Sequence, residues 1–293
     1  MKLLLTGAEG QLGFHLVPYL ARLGELVTTS RRSGDRPADL TDPAALSRLL
    51  DAVRPDVIVN PAAWTAVDAA EEQPEAADRL NRWLPETLAD WCRHNGALLV
   101  HYSTDYVFHG APGRPWTERD VTDPVSVYGY TKRAGERAVL GSGARAVVLR
   151  TAWLYSACPG NFLSAILARA GRGEGLRVVS DQIGSPTWAG SLAEMTADLL
   201  RNDLARPGGS ILHAADRGCM SWHDFAGMAV TMAAERGLID EAVPVEPIDS
   251  SQWPQKAARP CWSVLDVAAM EAACGRQLPT TKQALSACLD QWK

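Results

Sequence analysis

Residues 2–13 of this chain read KLLLTGAEGQLG, an apolar run followed by three evenly spaced glycines. The apolar run predicts a buried strand over residues 2–6. Leucines at near-helical spacing then predict a helix, which Pro18 should kink, and they are Leu12, Leu16, Leu20 and Leu23. Glycines at such a turn let backbone N–H groups approach a pyrophosphate at the start of the helix. The stretch therefore predicts a nucleotide-binding strand–turn–helix unit, although its spacing differs from G-x-G-x-x-G.

Similar alternation continues outward from this unit. Further apolar runs predict strands over residues 26–30, 57–59, 98–102 and 146–150, and helical patterns occupy residues 46–53 and 74–94. Strands that alternate with helices indicate an α/β fold with a doubly wound parallel sheet, whose ligand loops share one edge. After residue 150 the pattern is less regular and richer in Gly, Pro and Trp, which predicts a smaller substrate domain.

Composition excludes several classes of function. The net charge of −5 over 293 residues includes no basic block, so nucleic-acid binding is not expected. No apolar stretch approaches the ~20 residues of a membrane span, and the run at residues 3–5 is too short for a signal sequence. The six cysteines form no C-x-x-C pair, so free thiols and no zinc site are expected. These features predict a cytoplasmic protein.

The end of the second strand normally meets the adenosine ribose of a bound dinucleotide. The chain has Ser30, Arg31 and Arg32 there, and no acidic residue in that segment. An acid would bind a ribose 2′-hydroxyl and an arginine suits a 2′-phosphate, so NADPH is favoured over NADH. The alternative is a pair of solvated arginines.

Two further loops are candidates for holding the cofactor. Asp39 and Leu40 follow the second strand at a place where an adenine could lie. Small residues after the third strand would let a cofactor lie against the backbone, and they include Ala62, Ala63 and Thr65.

Tyr128 and Lys132 form a Y-x-x-x-K pair that lies on one face of a helix. A neighbouring ammonium should lower the pKa of the phenol and prepare it to give a proton to a carbonyl oxygen. The pair also occurs by chance in many helices, so its meaning depends on the nucleotide site. Thr104, at the end of the fourth strand, has a hydroxyl that could hold the same oxygen, or simply cap the strand.

Taken together, these pieces resemble the extended short-chain dehydrogenases/reductases, and most closely the dTDP-4-dehydrorhamnose reductase family. The matching segments span most of the chain and lie at residues 7–13, 54–60, 62–68, 103–108, 128–136, 150–155, 161–162, 181–187 and 259–260. The runs STDYVF and DQIGSPT are far more specific than Y-x-x-x-K. The resemblance implies NADPH-dependent reduction of the C4 ketone of a dTDP-4-keto-6-deoxyhexose, in dTDP-rhamnose biosynthesis.

The resemblance also implies roles for individual residues. Those implied for catalysis are Thr104, Tyr128 and Lys132. Those implied for the cofactor are Gly7, Gly10, Gln11, Leu12, Gly13, Ser30, Arg31, Asp39, Leu40, Ala62, Ala63, Thr65, Ser103, Tyr128 and Lys132. Those implied for the substrate are Thr104, Asp105, Tyr106, Trp153, Asn161, Gln182 and Arg259. A Rossmann-like NADP domain would cover residues 1–152 and 188–215, and a sugar-nucleotide domain residues 153–187 and 216–293.

Some positions depart from the family pattern. Pro61 and Trp64 are bulky beside the cofactor loop, Arg82 replaces a common alanine, and Cys261 replaces a small polar residue. His15 stands where relatives that share a Mg²⁺ ion in a dimer have an acid, so no metal is expected, and the chain is a monomer or a homodimer. Two alternatives stay open: reduction of another dTDP-deoxysugar, and a nucleotide-binding regulatory subunit without turnover.

Overall fold

The computed structural model describes residues 1–111, 113–202, 206–207 and 209–292. The strands are β1 Lys2–Leu5, β2 Glu25–Thr28, β3 Val57–Asn60, β4 Leu98–Thr104, β5 Arg145–Thr151, β6 Leu154–Tyr155, β7 Leu176–Val179, β8 Ile183–Gly184, β9 Thr187–Trp188, β10 Arg206–Pro207, β11 Ser210–His213, β12 Met220–Ser221 and β13 Val245–Ile248. The helices are α1 Gln11–Leu20, α2 Pro43–Val53, α3 Val67–Glu72, α4 Pro74–Asp78, α5 Leu84–Asn95, α6 Val127–Gly141, α7 Phe162–Ala170, α8 Ala189–Arg201, α9 Trp222–Glu235, α10 Ala268–Cys274 and α11 Thr281–Leu289.

The central sheet confirms the predicted α/β fold. Its parallel strands run in the order β2-β1-β3-β4-β5-β11, and β10 pairs antiparallel with β5. The strand order reverses between β1 and β3, which is where an open α/β sheet leaves a crevice for a ligand. The glycine turn after β1 and the loop after β3 border that crevice.

Both faces of the sheet are covered, as the continuous apolar runs require. Leu3 and Leu5 point to a core shared with α1 and α8, and Leu4 between them points to a core shared with α2 and α5. Alternate side chains of a strand face opposite sides of the sheet, so a strand buried on both faces must be apolar throughout. This is why β1 contains three consecutive leucines.

Two helices differ from the predicted spans. The predicted helix over residues 74–94 is divided into α4, a π-helical turn at Arg79–Trp83, and α5. Pro85 lacks the N–H that would bond to the carbonyl of Asn81, so the regular ladder is interrupted there. Helix α1 continues through Pro18 and ends at Leu20, before the predicted Leu23.

A separate hydrophobic cluster lies in the carboxyl-terminal part of the chain. It joins α7, α9 and α11 to β7, with Leu163, Phe225, Val230 and Leu285 fully or almost fully buried. β7 pairs in parallel with β13, and β8 pairs with β12, so this part builds small sheets of its own.

Candidate active site

The glycine turn is shaped by close backbone approaches. Gly7 has a φ of 55°, in the left-handed region, and a Cβ there would lie 3.2 Å from the Cα of Ala62. A Cβ on Gly13 would lie 2.1 Å from the carbonyl oxygen of Gly7. Both positions therefore require glycine, which leaves a smooth backbone surface beside the loop that follows β3.

Helix α1 presents its amino-terminal end at this surface. Gly10 precedes the helix in an extended conformation, and no side chain caps the first turn. The N–H groups of that turn, which include those of Gln11 and Leu12, are available to an anion, and the helix dipole favours negative charge there. Turn and helix end together form a site suited to a pyrophosphate.

The end of β2 holds an acid that sequence reasoning missed. Glu9, from the glycine turn, accepts a hydrogen bond from the Ser30 hydroxyl at 2.8 Å and another from the Ser33 hydroxyl. These bonds hold the pKa of the Glu9 carboxyl below its usual value, aided by the charges of Arg32 and Arg31. Residues 30–32 contain no acid, but the neighbouring turn supplies Glu9, and Asp35 accepts hydrogen bonds from the backbone N–H and the hydroxyl of Thr28 at the end of β2.

Asp39 and Leu40 are placed differently from each other. Leu40 is buried in the core beneath α2. Asp39 accepts hydrogen bonds from the backbone N–H and the hydroxyl of Thr41, and these lower the pKa of its carboxyl. Of these two residues, Asp39 is therefore the one that presents a polar group at the surface near the predicted adenine position.

The loop after β3 is held in place by a buried residue whose function the sequence did not reveal. The Asn81 side chain accepts from the backbone N–H of Trp64 at 2.9 Å and donates to the Trp64 carbonyl and the Thr131 hydroxyl. Asn81 is fully buried in the π-helical turn. It ties α6 to the loop that contains Ala62, Ala63 and Thr65, the predicted cofactor residues.

The end of β4 brings three polar side chains to the same sheet edge. Ser103 and Thr104 are the last residues of β4, and both are almost fully buried. The Thr104 hydroxyl donates to the Asp105 carboxyl at 3.0 Å. Burial raises the pKa of Asp105 to about 7, and hydrogen bonding from Ser263 and Thr104 opposes this rise.

Tyr128 and Lys132 lie on α6 as predicted, but the expected lowering of the phenol pKa is wrong for this structure. Burial raises the pKa of Tyr128 to about 12, with the Thr104 hydroxyl opposing the rise. Lys132 is buried, and its ammonium donates to the carbonyl of Tyr102 at 2.5 Å. Burial lowers the pKa of Lys132 to about 8, with the charge of Glu136 opposing the fall.

A cavity of about 280 Å³ opens beside this centre. Its wall contains Tyr106, whose ring packs edge-to-face against the ring of Tyr128 with 5.7 Å between centroids. Gln182 and Arg259, two of the residues predicted to contact the substrate, line the same cavity. Three aromatic residues that were not among the predicted substrate residues also line it, and they are Phe162, Trp222 and Trp253.

Trp153 and Asn161 have structural tasks near this cavity. The Trp153 ring stacks on Trp222 with 3.6 Å between centroids, so it supports the cavity wall through a second ring. The Asn161 amide caps α7: it accepts from Ser164 and donates to the carbonyls of Ser156 and Cys158. Its hydrogen-bonding capacity is used inside the chain, as for a capping asparagine.

Arg259 is held by Asp68, at the start of α3. Two guanidinium nitrogens donate to the two Asp68 carboxyl oxygens, at 3.1 and 2.8 Å. The same carboxyl accepts from the backbone N–H groups of Lys256 and Ala257, each at 3.0 Å. These contacts, foremost the Arg259 side chain, lower the pKa of Asp68 to about 2. The carboxylate therefore stays ionised and anchors the segment of chain that forms one side of the cavity.

The residues that the structure describes contain no group of three or more His, Cys, Asp or Glu side chains arranged to hold a metal ion. None of the helices that the structure describes is long and apolar enough to cross a lipid bilayer.

Comparison with known proteins gives matches along the whole chain. Residues 1–293 match the family model described as the RmlD substrate binding domain. A dTDP-4-dehydrorhamnose reductase from Burkholderia thailandensis is 40% identical over 296 residues, covering 99% of this chain and 98% of that protein. A probable dTDP-4,6-dihydroxy-2-methyloxan-3-one 4-ketoreductase from Streptomyces antibioticus is 42% identical over 266 residues, covering 90% of this chain and 86% of that protein.

Comparison with solved structures finds the same family. A crystal structure of dTDP-4-dehydrorhamnose reductase from Bacillus anthracis, in complex with NADP, superimposes with a TM-score of 0.89. The two sequences are 29% identical, and the superposition covers 99% of each chain.

Proposed function

The chain belongs to the family of the RmlD substrate binding domain, and from this premise we propose that it is an NADPH-dependent dTDP-4-dehydrorhamnose reductase. The reaction is reduction of the C4 ketone of a dTDP-4-keto-6-deoxyhexose, which gives dTDP-rhamnose. The observation that carries the proposal is the position of Tyr128. Its phenol adjoins Thr104, and its ring packs on Tyr106 in the cavity wall.

The backbone cradle after β1 fits a dinucleotide, because the turn glycines carry no side chain and no side chain caps the start of α1. The turn glycines and the start of α1 would hold the pyrophosphate. When bound, the reduced nicotinamide supplies a hydride. The residues that would hold the rest of the cofactor are Ser30, Arg31, Asp39, Ala62, Ala63, Thr65, Ser103 and Lys132.

Tyr128 would act as the general acid. With a pKa raised to about 12, the phenol holds its proton at neutral pH and can give it to the C4 oxygen. The Thr104 hydroxyl would hold the same oxygen. Lys132, with a pKa of about 8, is mostly charged at neutral pH, so its ammonium would stabilise the phenolate left after proton transfer.

The cavity would hold the sugar nucleotide. Arg259 suits the diphosphate by its charge, and because Asp68 takes one N–H from each terminal guanidinium nitrogen, the remaining N–H donors would bind the phosphate oxygens. Gln182, Asp105 and Tyr106 would contact the sugar from the cavity wall and from the end of β4. Trp153 would act through Trp222, and Asn161 is left out of direct contact because its amide caps α7.

The division into two domains is part of this proposal. The separate hydrophobic cluster around α7, α9 and α11 supports a sugar-nucleotide domain over residues 153–187 and 216–293. The pairing of β11 with β5 supports the return of residues 188–215 to the nucleotide domain. A cytoplasmic location is proposed with it, since the reaction draws on nucleotide-linked substrates and reduced dinucleotides.

The test is an assay of NADPH oxidation. Purified protein is mixed with NADPH, dTDP-4-keto-6-deoxyglucose and a dTDP-sugar 3,5-epimerase, and the loss of absorbance at the nicotinamide band is followed. We expect turnover that requires both sugar substrate and epimerase. Binding of NADPH without turnover would instead support a regulatory subunit.

A second function is favoured by one relative. The ketoreductase from Streptomyces antibioticus, at 42% identity, is named for a different dTDP-linked 4-keto sugar. Chromatography of the reaction products separates the two candidates: dTDP-rhamnose supports the first, and turnover only with another dTDP-4-ketodeoxyhexose supports the second.

A further inference from the structure

We propose that Glu9 sets the preference between the two nicotinamide dinucleotides, by opposing the 2′-phosphate of NADPH and accepting the ribose hydroxyls of NADH. This inference rests on the proposed function, since it concerns the cofactor of the same site. It assigns a role to a residue in the glycine turn whose side chain the pyrophosphate site does not use.

The position of Glu9 is the first support. Residue Glu9 lies between Gly7 and Gly10, yet its carboxyl is bound at the end of β2 by Ser30 and Ser33. The end of β2 is where the adenosine ribose lies in sheets of this type. In many such sheets an acid at the end of β2 accepts hydrogen bonds from the ribose hydroxyls. The Glu9 carboxylate lies at the end of β2 and could accept the same hydrogen bonds.

The charge of Glu9 is the second support. Hydrogen bonds from two serine hydroxyls keep its pKa below the usual value, so the group is ionised at neutral pH. Neither oxygen is saturated by these contacts, because a carboxylate offers about four lone-pair sites. Ribose hydroxyls can therefore donate to it, whereas a 2′-phosphate can only be repelled.

Positive and negative side chains near the end of β2 would have opposite effects on a bound 2′-phosphate. Arg31 and Arg32 are exposed, and both lower the pKa of the Glu9 carboxyl through their charge. A 2′-phosphate would be attracted by the two guanidinium groups and repelled by Glu9. The affinity for the 2′-phosphate therefore depends on Glu9 as well as on the arginines, and the Glu9 carboxylate should limit how strongly the protein prefers NADPH over NADH.

The test compares Glu9→Gln with the parent protein, using fluorescence titration of NADPH and NADH and calorimetric titration of 2′,5′-ADP and 5′-AMP. Glutamine keeps an acceptor for the serines and removes the charge. We expect Glu9→Gln to bind NADPH and 2′,5′-ADP roughly five-fold more tightly than the parent. Its affinity for NADH and 5′-AMP should be equal to that of the parent or lower. The gain should shrink at high ionic strength, because exposed charges are screened.

Two further variants make the result specific. Glu25→Gln removes the same charge at the opposite end of β2 and should leave the ratio of the two dissociation constants unchanged. Glu9→Ala removes the acceptor as well, so it should repeat the gain for NADPH and lose more affinity for NADH. If the ratio of the NADPH and NADH dissociation constants in Glu9→Gln and Glu9→Ala stays within two-fold of the parent value, the proposed role of Glu9 is overturned. A parent protein that binds none of the four ligands overturns both this inference and the proposed function.

Discussion

Burial would suit the phenol of Tyr128 to the proposed role of general acid. A pKa of about 12 keeps the proton on the oxygen at neutral pH, so the group is available as an acid in every molecule. In the proposed mechanism, the buried ammonium of Lys132 would act only when negative charge forms on the phenol. An attraction between the Lys132 ammonium and the Tyr128 oxygen would therefore arise after proton transfer and not in the resting protein.

Tyr128→Phe removes only the phenol hydroxyl and should leave folding and cofactor binding intact. General acid catalysis typically contributes ~10²–10⁴-fold to rate, so we expect kcat to fall by that range. Steady-state kinetics together with NADPH titration measure both effects. Parental turnover in this variant would mean that another group supplies the proton.

The pKa of Lys132 predicts the alkaline limit of activity. Its value of about 8 lies below the ordinary value of 10.5, so the ammonium loses its proton as pH rises through 8. We expect kcat/KM to fall above about pH 8. In Lys132→Arg this falling limb should move to higher pH, because guanidinium keeps its charge. Identical limbs in parent and variant would assign the alkaline loss to a different group.

At the scale of elements, Asp68 joins α3 to residues 256–259 of the carboxyl-terminal part of the chain. Asp68 binds the Arg259 side chain and two backbone N–H groups of its segment, so one carboxylate fixes both the arginine and the chain around it. An arginine held in this way loses little freedom when it meets a diphosphate.

Arg259→Ala should therefore raise the KM for the sugar nucleotide with little change in NADPH affinity. The lost charge-assisted contact is worth on the order of 1.5–3 kcal/mol, or roughly 10- to 150-fold in affinity. Titrations with dTDP-sugar product and with NADPH measure the two effects. Arg172→Ala, at an exposed arginine paired with Glu174, is the matched control. Unchanged product affinity in Arg259→Ala would rule out the diphosphate contact.

Asp68→Asn tests the anchor rather than the arginine. The amide keeps one acceptor oxygen but loses the charge and one of the two oxygens, so the segment around residues 256–259 should be less well held. We expect a smaller rise in KM than in Arg259→Ala, with kcat nearly unchanged. The double variant should be close to Arg259→Ala alone, because the diphosphate contact that Asp68 supports is already lost when Arg259 is removed. Additive effects would show that Asp68 acts independently of Arg259.

Sequence patterns predicted the elements better than the contacts between them. The strands of the sheet were found because each is a continuous apolar run, and Thr104 was correctly placed at the end of β4. The pair of Asp68 and Arg259 spans 191 positions, and Glu9 reaches β2 through a loop, so no local pattern encodes either contact. The phenol pKa was misjudged because its burial depends on the packed α6 and β4.

At the scale of the whole molecule, buried acids link stability to pH. Asp216 follows β11 and accepts from the backbone N–H of Trp188 in β9 at 2.8 Å. Burial raises the pKa of its carboxyl from 3.8 to about 7. The folded protein therefore keeps a proton that the unfolded chain releases, and this group makes stability fall as pH rises from about 4 to about 7.

Asp216→Asn should remove this contribution, because the amide is neutral at every pH. We expect the variant to gain stability relative to the parent as pH rises through that window, by roughly 1–3 kcal/mol in the free energy of unfolding. Thermal unfolding at pH 5, 6, 7 and 8 measures the difference. Asp240→Asn, at an exposed aspartate, controls for the change in net charge. A difference in stability that does not vary with pH would mean that Asp216 is ionised throughout.

The late return of β11 to the sheet has a consequence during synthesis. Strand β5 leaves the ribosome first, and its partner β11 follows only after residues 152–209 have been translated. At ordinary translation rates of ~5–20 residues per second, this apolar edge stays unpaired for roughly 3–12 s. An unpaired edge strand is a template for pairing with another chain. Slow codons across residues 152–209 should therefore increase the share of newly made protein that aggregates, and chaperones that bind nascent chains should reduce it.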